Sequence, residues 1–145
     1  MKISTKGRYA IRMMLDLAMH AEEEYIPLND IAERQGISKK YLEQIVPILN
    51  KSGFLKTNRG YQGGYMLSKP PRQYTVGDIL RLTEGDLAPV PCAAQDPADC
   101  PRSEDCATLP VWRGLNRVIN EYLDGITLQD LLDQQRAHYA NNYMI

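Results

Sequence analysis

Residues 27–53 read PLNDIAERQGISKKYLEQIVPILNKSG, and this stretch decides the fold. It predicts two helices joined by a tight turn, because Gly36 can end the first helix in the left-handed conformation. Ser38 can then accept a backbone hydrogen bond at the start of the second helix, whose apolar residues Leu42, Ile45, Val46 and Leu49 share one face. A short helix, a glycine turn and a longer helix follow the order of a helix-turn-helix.

The flanking segments extend this motif. Ser4 or Thr5 can cap an N-terminal helix, and residues 54–68, FLKTNRGYQGGYMLS, predict a β-hairpin with a Gly-rich tip. A capping box formed by Thr75 and Asp78 predicts a fourth helix. The order is that of a winged helix-turn-helix.

The C-terminal part predicts two more helices. One begins near Pro110, and a second capping box at Thr127 predicts a short helix over residues 128–135. We therefore expect a mainly α fold with a small β-hairpin. Its parts are a winged helix-turn-helix domain (1–84), a cysteine-containing loop (85–107), and a dimerisation helix with a C-terminal helix or tail (108–145).

Charge is divided unevenly along the chain. Residues 1–72 carry 12 Lys and Arg against 7 Asp and Glu, whereas residues 73–145 carry 5 against 11. A basic first half indicates that this half meets a polyanion. The start of a recognition helix reaches base edges in the major groove, and an arginine on a thin wing can enter the minor groove. The candidate contacts to double-stranded DNA are Ser38, Lys39, Lys40, Tyr41, Glu43, Gln44 and Arg59.

Three cysteines, Cys92, Cys100 and Cys106, lie in a segment rich in proline and acid. The N-terminus lacks a signal-peptide pattern and no apolar run is long enough to span a membrane, so we expect a cytoplasmic protein with reduced thiols. Thiolates bind zinc, copper(I) or iron–sulfur clusters, and this spacing lacks the close cysteine pairs of zinc sites. The segment predicts an iron–sulfur cluster, with a redox-active trio that forms one disulfide as the alternative.

An iron–sulfur cluster normally has four protein ligands, so one is missing from the three cysteines. The two histidines, His20 and His138, lie far from them in sequence. The carboxylates that could serve instead are Asp99, Asp105, Glu33 and Glu43.

Apolar side chains recur over residues 112–126 at intervals of 3, 4, 3 and 4 residues: Trp112, Leu115, Ile119, Tyr122 and Ile126. This spacing is typical of a coiled-coil seam, although a helix packed on its own domain uses a similar stripe. Two recognition helices that read sites one DNA turn apart need a symmetric partner. We therefore expect a homodimer on a palindromic operator.

Several stretches together resemble the IscR family of winged-helix regulators, which belongs with the nitric-oxide sensor NsrR and the cysteine-metabolism regulator CymR. They are MKISTKGRYA, IPLNDIAERQGISKKYLEQI, NRGYQGGYMLSKP, the three-cysteine loop, and VWRGLNRV with ITLQDLL. The resemblance implies a bacterial homodimer with a long antiparallel dimerisation helix. It implies operator reading by the helix that bears Glu43 and Gln44, with Arg59 in the minor groove. It also implies a cluster on the three cysteines, usually [2Fe–2S], and control of cluster-assembly genes.

The chain departs from this family at the fourth ligand. IscR-like proteins use a histidine three residues after the last cysteine, where this chain has Leu109. Nitric-oxide-sensing members use an acidic residue near the N-terminus, where this chain has Arg8. We take Glu43 as the candidate fourth ligand. Release of Glu43 on cluster loss would then change which operators the recognition helix binds.

Three other functions compete with a cluster sensor. The first is a thiol-redox, nitric-oxide or metabolite-responsive DNA-binding repressor of the same fold without a permanent cluster. The second is a scaffold that binds partners through residues 112–126. The third is an enzyme, which we do not expect because no nucleophile–base pair or phosphate-binding loop has local motif support.

Overall fold

Six α-helices and a two-stranded antiparallel sheet make up the part of the chain that this computed structural model describes, namely residues 2–22, 24–94 and 100–143. The elements are α1 (Thr5–Met19), α2 (Leu28–Gln35), α3 (Lys39–Lys51), β1 (Leu55–Asn58), β2 (Gly64–Leu67), α4 (Val76–Glu84), α5 (Leu109–Asp124) and α6 (Leu128–Tyr143). Single turns of 3-10 helix lie at Pro71–Gln73 and Pro91–Ala93. The predicted mainly α fold with a winged helix-turn-helix is confirmed.

Local hydrogen bonds set the ends of the helices as the sequence predicts. The Ser4 hydroxyl accepts a hydrogen bond from the Gly7 N–H at 3.1 Å, and the Ser38 hydroxyl accepts one from the Tyr41 N–H at 3.1 Å. Gly36 ends α2 with φ of +63°, a conformation in which a side chain would be strained. Each device lies within three residues of the group that it serves, which is why the pattern is visible in the sequence.

The wing is the β1–β2 hairpin, and a third segment anchors its base. Leu55 pairs with Leu67 and Asn58 pairs with Gly64 at the two ends of the ladder. Ile26 and Tyr65 exchange two backbone hydrogen bonds of 2.9 Å. Gly64 lies so close to this third segment that a Cβ there would approach the Ile26 oxygen to 2.3 Å. The base of the wing is therefore held against the chain that leads into α2.

The main core surrounds α1 and includes both ends of the chain. Met13, Met14 and Leu17 of α1 are fully buried, and Leu128 and Leu132 of α6 belong to the same apolar cluster. The chain before α6 also pairs with the chain before α4: the Val76 N–H donates to the Ile126 oxygen, and the Leu128 N–H donates to the Tyr74 oxygen, both at 2.9 Å. The predicted division at residues 84 and 107 stays a prediction.

A buried carboxylate fixes α2 against α1. Asp16 has 1% of its surface exposed, and its oxygens accept hydrogen bonds from Arg34 Nη2 at 2.8 Å, Arg34 Nε at 3.1 Å and Gln35 Nε2 at 3.0 Å. A charge this deep is tolerated only when it is paired and hydrogen-bonded. Since α2 leads through Gly36 into α3, this pair also sets the position of the recognition helix.

The last helix is longer than predicted. α6 continues from Leu128 to Tyr143, eight residues beyond the short helix expected at 128–135. The added residues contain Ala137 and Ala140 and no Gly or Pro, so nothing in this stretch stops the helix. Among the described residues, no helix has the length and apolar character needed to cross a membrane.

Candidate DNA-binding surface and cysteine segment

The first two turns of α3 present polar side chains to solvent. The buried face of α3 is made by Leu42, Ile45, Val46 and Leu49, which all belong to the main core. The opposite face is free, and the predicted contact residues Ser38, Lys39, Lys40, Glu43 and Gln44 are exposed on it. Tyr41 is half-buried, because its ring meets the Tyr9 ring edge to face at 5.2 Å. Tyr41 therefore packs on α1 while it borders the recognition surface.

An open groove of about 740 Å³ lies between α3 and the wing. Lys39 and Glu43 line it from the helix, and Arg59 lines it from the wing. The two walls are joined by a 3.0 Å hydrogen bond from the Thr57 hydroxyl to Asn50 Oδ1. The structure thus brings the predicted contacts of the helix and of the wing to one surface.

The tip of the wing is a tight turn that carries an aromatic ring. The Gly63 N–H donates to the Gly60 oxygen at 2.9 Å, so Tyr61 and Gln62 are the central residues of a β-turn. Gln62 has φ of +64°, a position where such turns favour glycine. The Tyr61 side chain is 97% exposed. The sequence analysis named Arg59 on this wing and did not name Tyr61, whose exposure the structure shows.

The three cysteines lie at the surface beside α5. Cys92 is half-buried in the 3-10 turn Pro91–Ala93, Cys100 is exposed, and Cys106 is half-buried three residues before α5 begins. All three are free thiols. The Cys106 sulfur lies 3.2 Å from Thr108 Oγ1, and this hydrogen bond, helped by the backbone at Thr108 and Leu109, lowers the pKa of the Cys106 thiol. A lowered pKa favours the thiolate, which is the nucleophilic form of cysteine.

As donors, the three thiols fit an iron–sulfur cluster, but the described structure does not gather them. Among the described residues, no three His, Cys, Asp or Glu side chains converge on a possible metal position. The fourth-ligand candidates are scattered: Glu43 lines the wing groove, Glu33 is on α2, Asp105 is exposed beside Cys106, and the two histidines are on α1's end and α6. Asp99 lies outside the described residues.

Leu109 occupies the position where IscR-like proteins are expected to carry a histidine ligand. It is buried at the first position of α5. At this position the chain therefore has an apolar anchor for the helix and no metal donor. Ligation by Cys92, Cys100 and Cys106, with Glu43 as the fourth ligand, stays a prediction.

A polar network connects the cysteine segment to α4. Asn116 Nδ2 donates to the Ala93 oxygen at 3.1 Å, and Asn120 Nδ2 donates to Asn116 Oδ1 at 2.9 Å. Arg81 of α4 donates to Asn120 Oδ1 at 2.6 Å and to both carboxylate oxygens of Asp124 at 2.8 and 2.9 Å. The Arg81 hydrogen bonds lower the pKa of Asp124. The network thus spans from the residue after Cys92, across α5, to the helix that packs on α1.

The α5 helix has two apolar stripes. Ile119 and Ile126, predicted in the dimer seam, pack on the small intramolecular cluster of Val76, Leu80 and Leu87. Trp112 is half-buried. Leu115 and Tyr122 remain exposed, and together with two further residues they form an exposed apolar stripe: Val111, Leu115, Val118 and Tyr122. These residues are spaced 4, 3 and 4 apart, which is the spacing of a helix-pairing seam. The predicted seam stays a prediction.

Comparison with known proteins identifies the fold and its function class. A family model named Rrf2, described as an iron-dependent transcriptional regulator, matches residues 3–134. The transcriptional regulator IscR of Erwinia tasmaniensis is 39% identical over 93% of this chain and 81% of its own. The solved structure of T. potens IscR matches with a TM-score of 0.74 and 43% identity over 93% of this chain and 88% of that one.

CymR, the global cysteine regulator of B. subtilis, matches with a TM-score of 0.79 and 37% identity over 92% of this chain and 98% of that one. The family match, the sequence relatives and the solved structures all point to a transcriptional regulator. This agrees with a DNA-binding role for the surface formed by α3 and the wing. The chain belongs to the Rrf2 family, and it is a DNA-binding transcriptional regulator of the IscR type.

Proposed function

We propose that this regulator is a homodimer that binds a palindromic operator and senses iron–sulfur cluster status through Cys92, Cys100 and Cys106. As targets we propose genes of iron–sulfur cluster biogenesis, which the resemblance to the IscR family implies. The observation that carries the proposal is the polar network that joins the cysteine segment to α4. A sensing segment that is hydrogen-bonded to the rest of the fold can bias its geometry, and this network joins the turn after Cys92 to α4, which packs on α1.

The DNA-binding part of the proposal rests on charge and shape. Residues 38–64, which form α3 and the wing, contain five Lys and Arg and one Glu. The exposed Lys39 and Lys40 can hold phosphates, which positions the protein without reading sequence. Gln44 can pair with an adenine edge, and Arg59 can enter a narrow minor groove.

The homodimer rests on the exposed stripe of α5. Val111, Val118 and Tyr122 have more than half of their surface exposed when only the described residues of their own chain are considered. An apolar stripe of this length on one helix is costly in water and is suited to a second copy of the same helix. A symmetric pair would present two copies of α3 to two half-sites.

The cluster rests on donor chemistry. Three thiols on one irregular segment provide the soft ligands that iron–sulfur clusters use. A bound cluster would supply a redox-sensitive centre. A shift of the turn at residues 91–94 would be passed to Arg81 through the hydrogen bonds of Asn116 and Asn120. A coupling of this kind typically changes affinity by 5- to 150-fold, or about 1–3 kcal/mol.

Anaerobic reconstitution tests the proposal. The protein is incubated with iron and sulfide without oxygen, its absorbance spectrum is recorded, and a duplex is selected from a random 30-base-pair library. We expect a visible chromophore that is lost in the Cys92→Ser variant, and different affinities for the selected duplex with and without the chromophore. Equal affinity in both states for every selected duplex contradicts the sensing role while leaving DNA binding intact.

A second candidate is a thiol-redox regulator without a cluster. The observations in its favour are that the three thiols do not converge on a metal position among the described residues and that the hydrogen bond with Thr108 lowers the pKa of the Cys106 thiol. An oxidant would convert two thiols to one disulfide, with two electrons and two protons passing to the oxidant. Absence of a chromophore after reconstitution, together with DNA affinity that changes on mild peroxide treatment, favours this candidate.

A further inference from the structure

Among the large apolar side chains of the described residues, that of Tyr61 at the tip of the wing is the most exposed. Its ring is 97% exposed, so it contributes no packing to its own chain. An exposed aromatic ring with a hydroxyl is typical of interfaces, where the ring supplies apolar contact and the hydroxyl a hydrogen bond. The fold therefore gives Tyr61 no structural role that would explain its presence.

The wing holds this ring on a well-supported tip. The turn is closed by the hydrogen bond from Gly63 to Gly60, and a Cβ at Gly63 would meet the Asn58 oxygen at 2.4 Å. The base of the hairpin is fixed by the paired hydrogen bonds between Ile26 and Tyr65. Because the tip is already held in place, it loses little conformational entropy when it contacts a partner, which favours binding.

The chemistry around the ring identifies the partner. Tyr61 lies two residues from the exposed Arg59 and on the same hairpin as the exposed Lys56. A ring on a hairpin that also carries two exposed cations suits a polyanion with an apolar edge, and the sugar–phosphate backbone of duplex DNA is such a partner.

We propose that Tyr61 is a second DNA-contacting residue of the wing: beside Arg59, its ring packs on deoxyribose at the edge of the minor groove and its hydroxyl donates to a phosphate oxygen. This contact reads no base, so it strengthens binding to every duplex. The inference rests on the DNA binding described above and adds a residue to it.

Affinity measurements test the contact. A fluorescein-labelled duplex selected from a random library and an unrelated duplex of equal length are titrated with wild-type protein and with variants. We expect Tyr61→Ala to weaken binding to both duplexes by about five- to tenfold, as truncation of an interface aromatic does. Tyr61→Phe keeps the ring and loses only the hydrogen bond from the hydroxyl to phosphate, so we expect a smaller loss of about two- to threefold. Because the side chain is solvent-exposed, neither change should alter the melting temperature.

The matched control is Tyr139→Ala, which removes a half-exposed tyrosine from α6, outside the surface formed by α3 and the wing. Tyr61→Ala with the affinity of Tyr139→Ala overturns the inference. If Arg59→Ala weakens binding in the same experiment while Tyr61→Ala does not, only this inference fails. If wild-type protein binds no selected duplex, the proposed function fails with it.

Chemical protection gives a second measurement that does not depend on affinity. Tetranitromethane nitrates exposed tyrosines, and mass spectrometry locates the nitro groups. We expect the selected duplex to suppress nitration of Tyr61 and to leave Tyr139 unchanged. Equal nitration of Tyr61 in free and DNA-bound protein overturns the inference, whatever the affinities show.

Discussion

The side-chain amide of Asn116 donates a 3.1 Å hydrogen bond to the backbone oxygen of Ala93, the residue that follows Cys92. This bond fastens the cysteine segment to the middle of α5. One helical turn later, Asn120 donates a hydrogen bond to the Asn116 side chain. Arg81 of α4 in turn donates one to the Asn120 side chain. If the turn that contains Cys92 moves, the hydrogen bond to the Asn116 side chain is the first contact affected. Because this side chain is neutral, it can be replaced without changing the charge of the protein.

Asn116→Ala should uncouple sensing from DNA binding. The variant loses the bond to Ala93, and we expect the affinity ratio between the two states of the cysteine segment to fall toward one. The variant also loses the hydrogen bond that Asn120 donates to Asn116 Oδ1, so the loss of stability should be about 1–2 kcal/mol, as for two neutral hydrogen bonds. Titration of a selected duplex with reconstituted and untreated protein measures the ratio. Asn142→Ala, on the exposed end of α6, is the control and should keep the wild-type ratio.

Val118→Glu should prevent the proposed dimer from forming without unfolding the protomer. Val118 is 56% exposed in a single chain, so a carboxylate there stays hydrated in the monomer but would be buried unpaired between two copies of α5. Analytical ultracentrifugation should show a monomer with an unchanged circular dichroism spectrum. Ala137→Glu places the same charge on the exposed surface of α6 and should remain dimeric. A Val118→Glu dimer as stable as the wild type would exclude this stripe as the interface.

Asp16→Ala should destabilise the helix-turn-helix. The change removes the acceptor of three hydrogen bonds from Arg34 and Gln35 and leaves a polar pocket beside the core. Because Arg34 can turn partly to water, we expect a loss of about 2–3 kcal/mol, as for hydrogen bonds to a charged group. Urea denaturation measures it. Asp133→Ala removes an exposed carboxylate of α6 and should cost less than about 0.5 kcal/mol.

Thr108→Val should raise the pKa of the Cys106 thiol in the cluster-free protein. The Thr108 hydroxyl donates to the sulfur and stabilises the thiolate, so its removal shifts the onset of ionisation to higher pH. The rate of iodoacetamide alkylation at Cys106, followed by peptide mass spectrometry across pH, should show this shift. Thr108 makes no side-chain cap bond to α5, so the helix should remain. An unchanged pH profile would mean that the hydroxyl does not control this thiol.

The sequence predicted what local chemistry determines. Ser38 and Gly36 mark helix ends because each satisfies backbone groups within a few residues, and the capping box of Thr75 and Asp78 does the same. The apolar face of α3 has to pack on the core. The sequence therefore also predicted which side chains of α3 are exposed. The order of elements, and with it the winged helix-turn-helix, could therefore be derived from the sequence.

What long-range packing determines could not be predicted. Ile119 and Leu115 have the same apolar character and lie on the same helix, but Ile119 meets Val76 and Leu80 while Leu115 faces solvent. That choice depends on how α4 docks on α5, and no spacing rule contains it. Likewise Asp16 finds Arg34 eighteen residues away, across a turn whose direction is set by tertiary structure.

The sharing of one core by Met13 of α1 and Leu128 of α6 has a practical consequence for anyone who builds chimaeric regulators from this protein. A fragment cut after the wing or after α4 would lack α6. It would therefore expose the apolar core on which α1, α2 and α3 pack. Domain swaps between related regulators must therefore exchange both termini together, or graft only the surface of α3 and the wing tip onto an intact host.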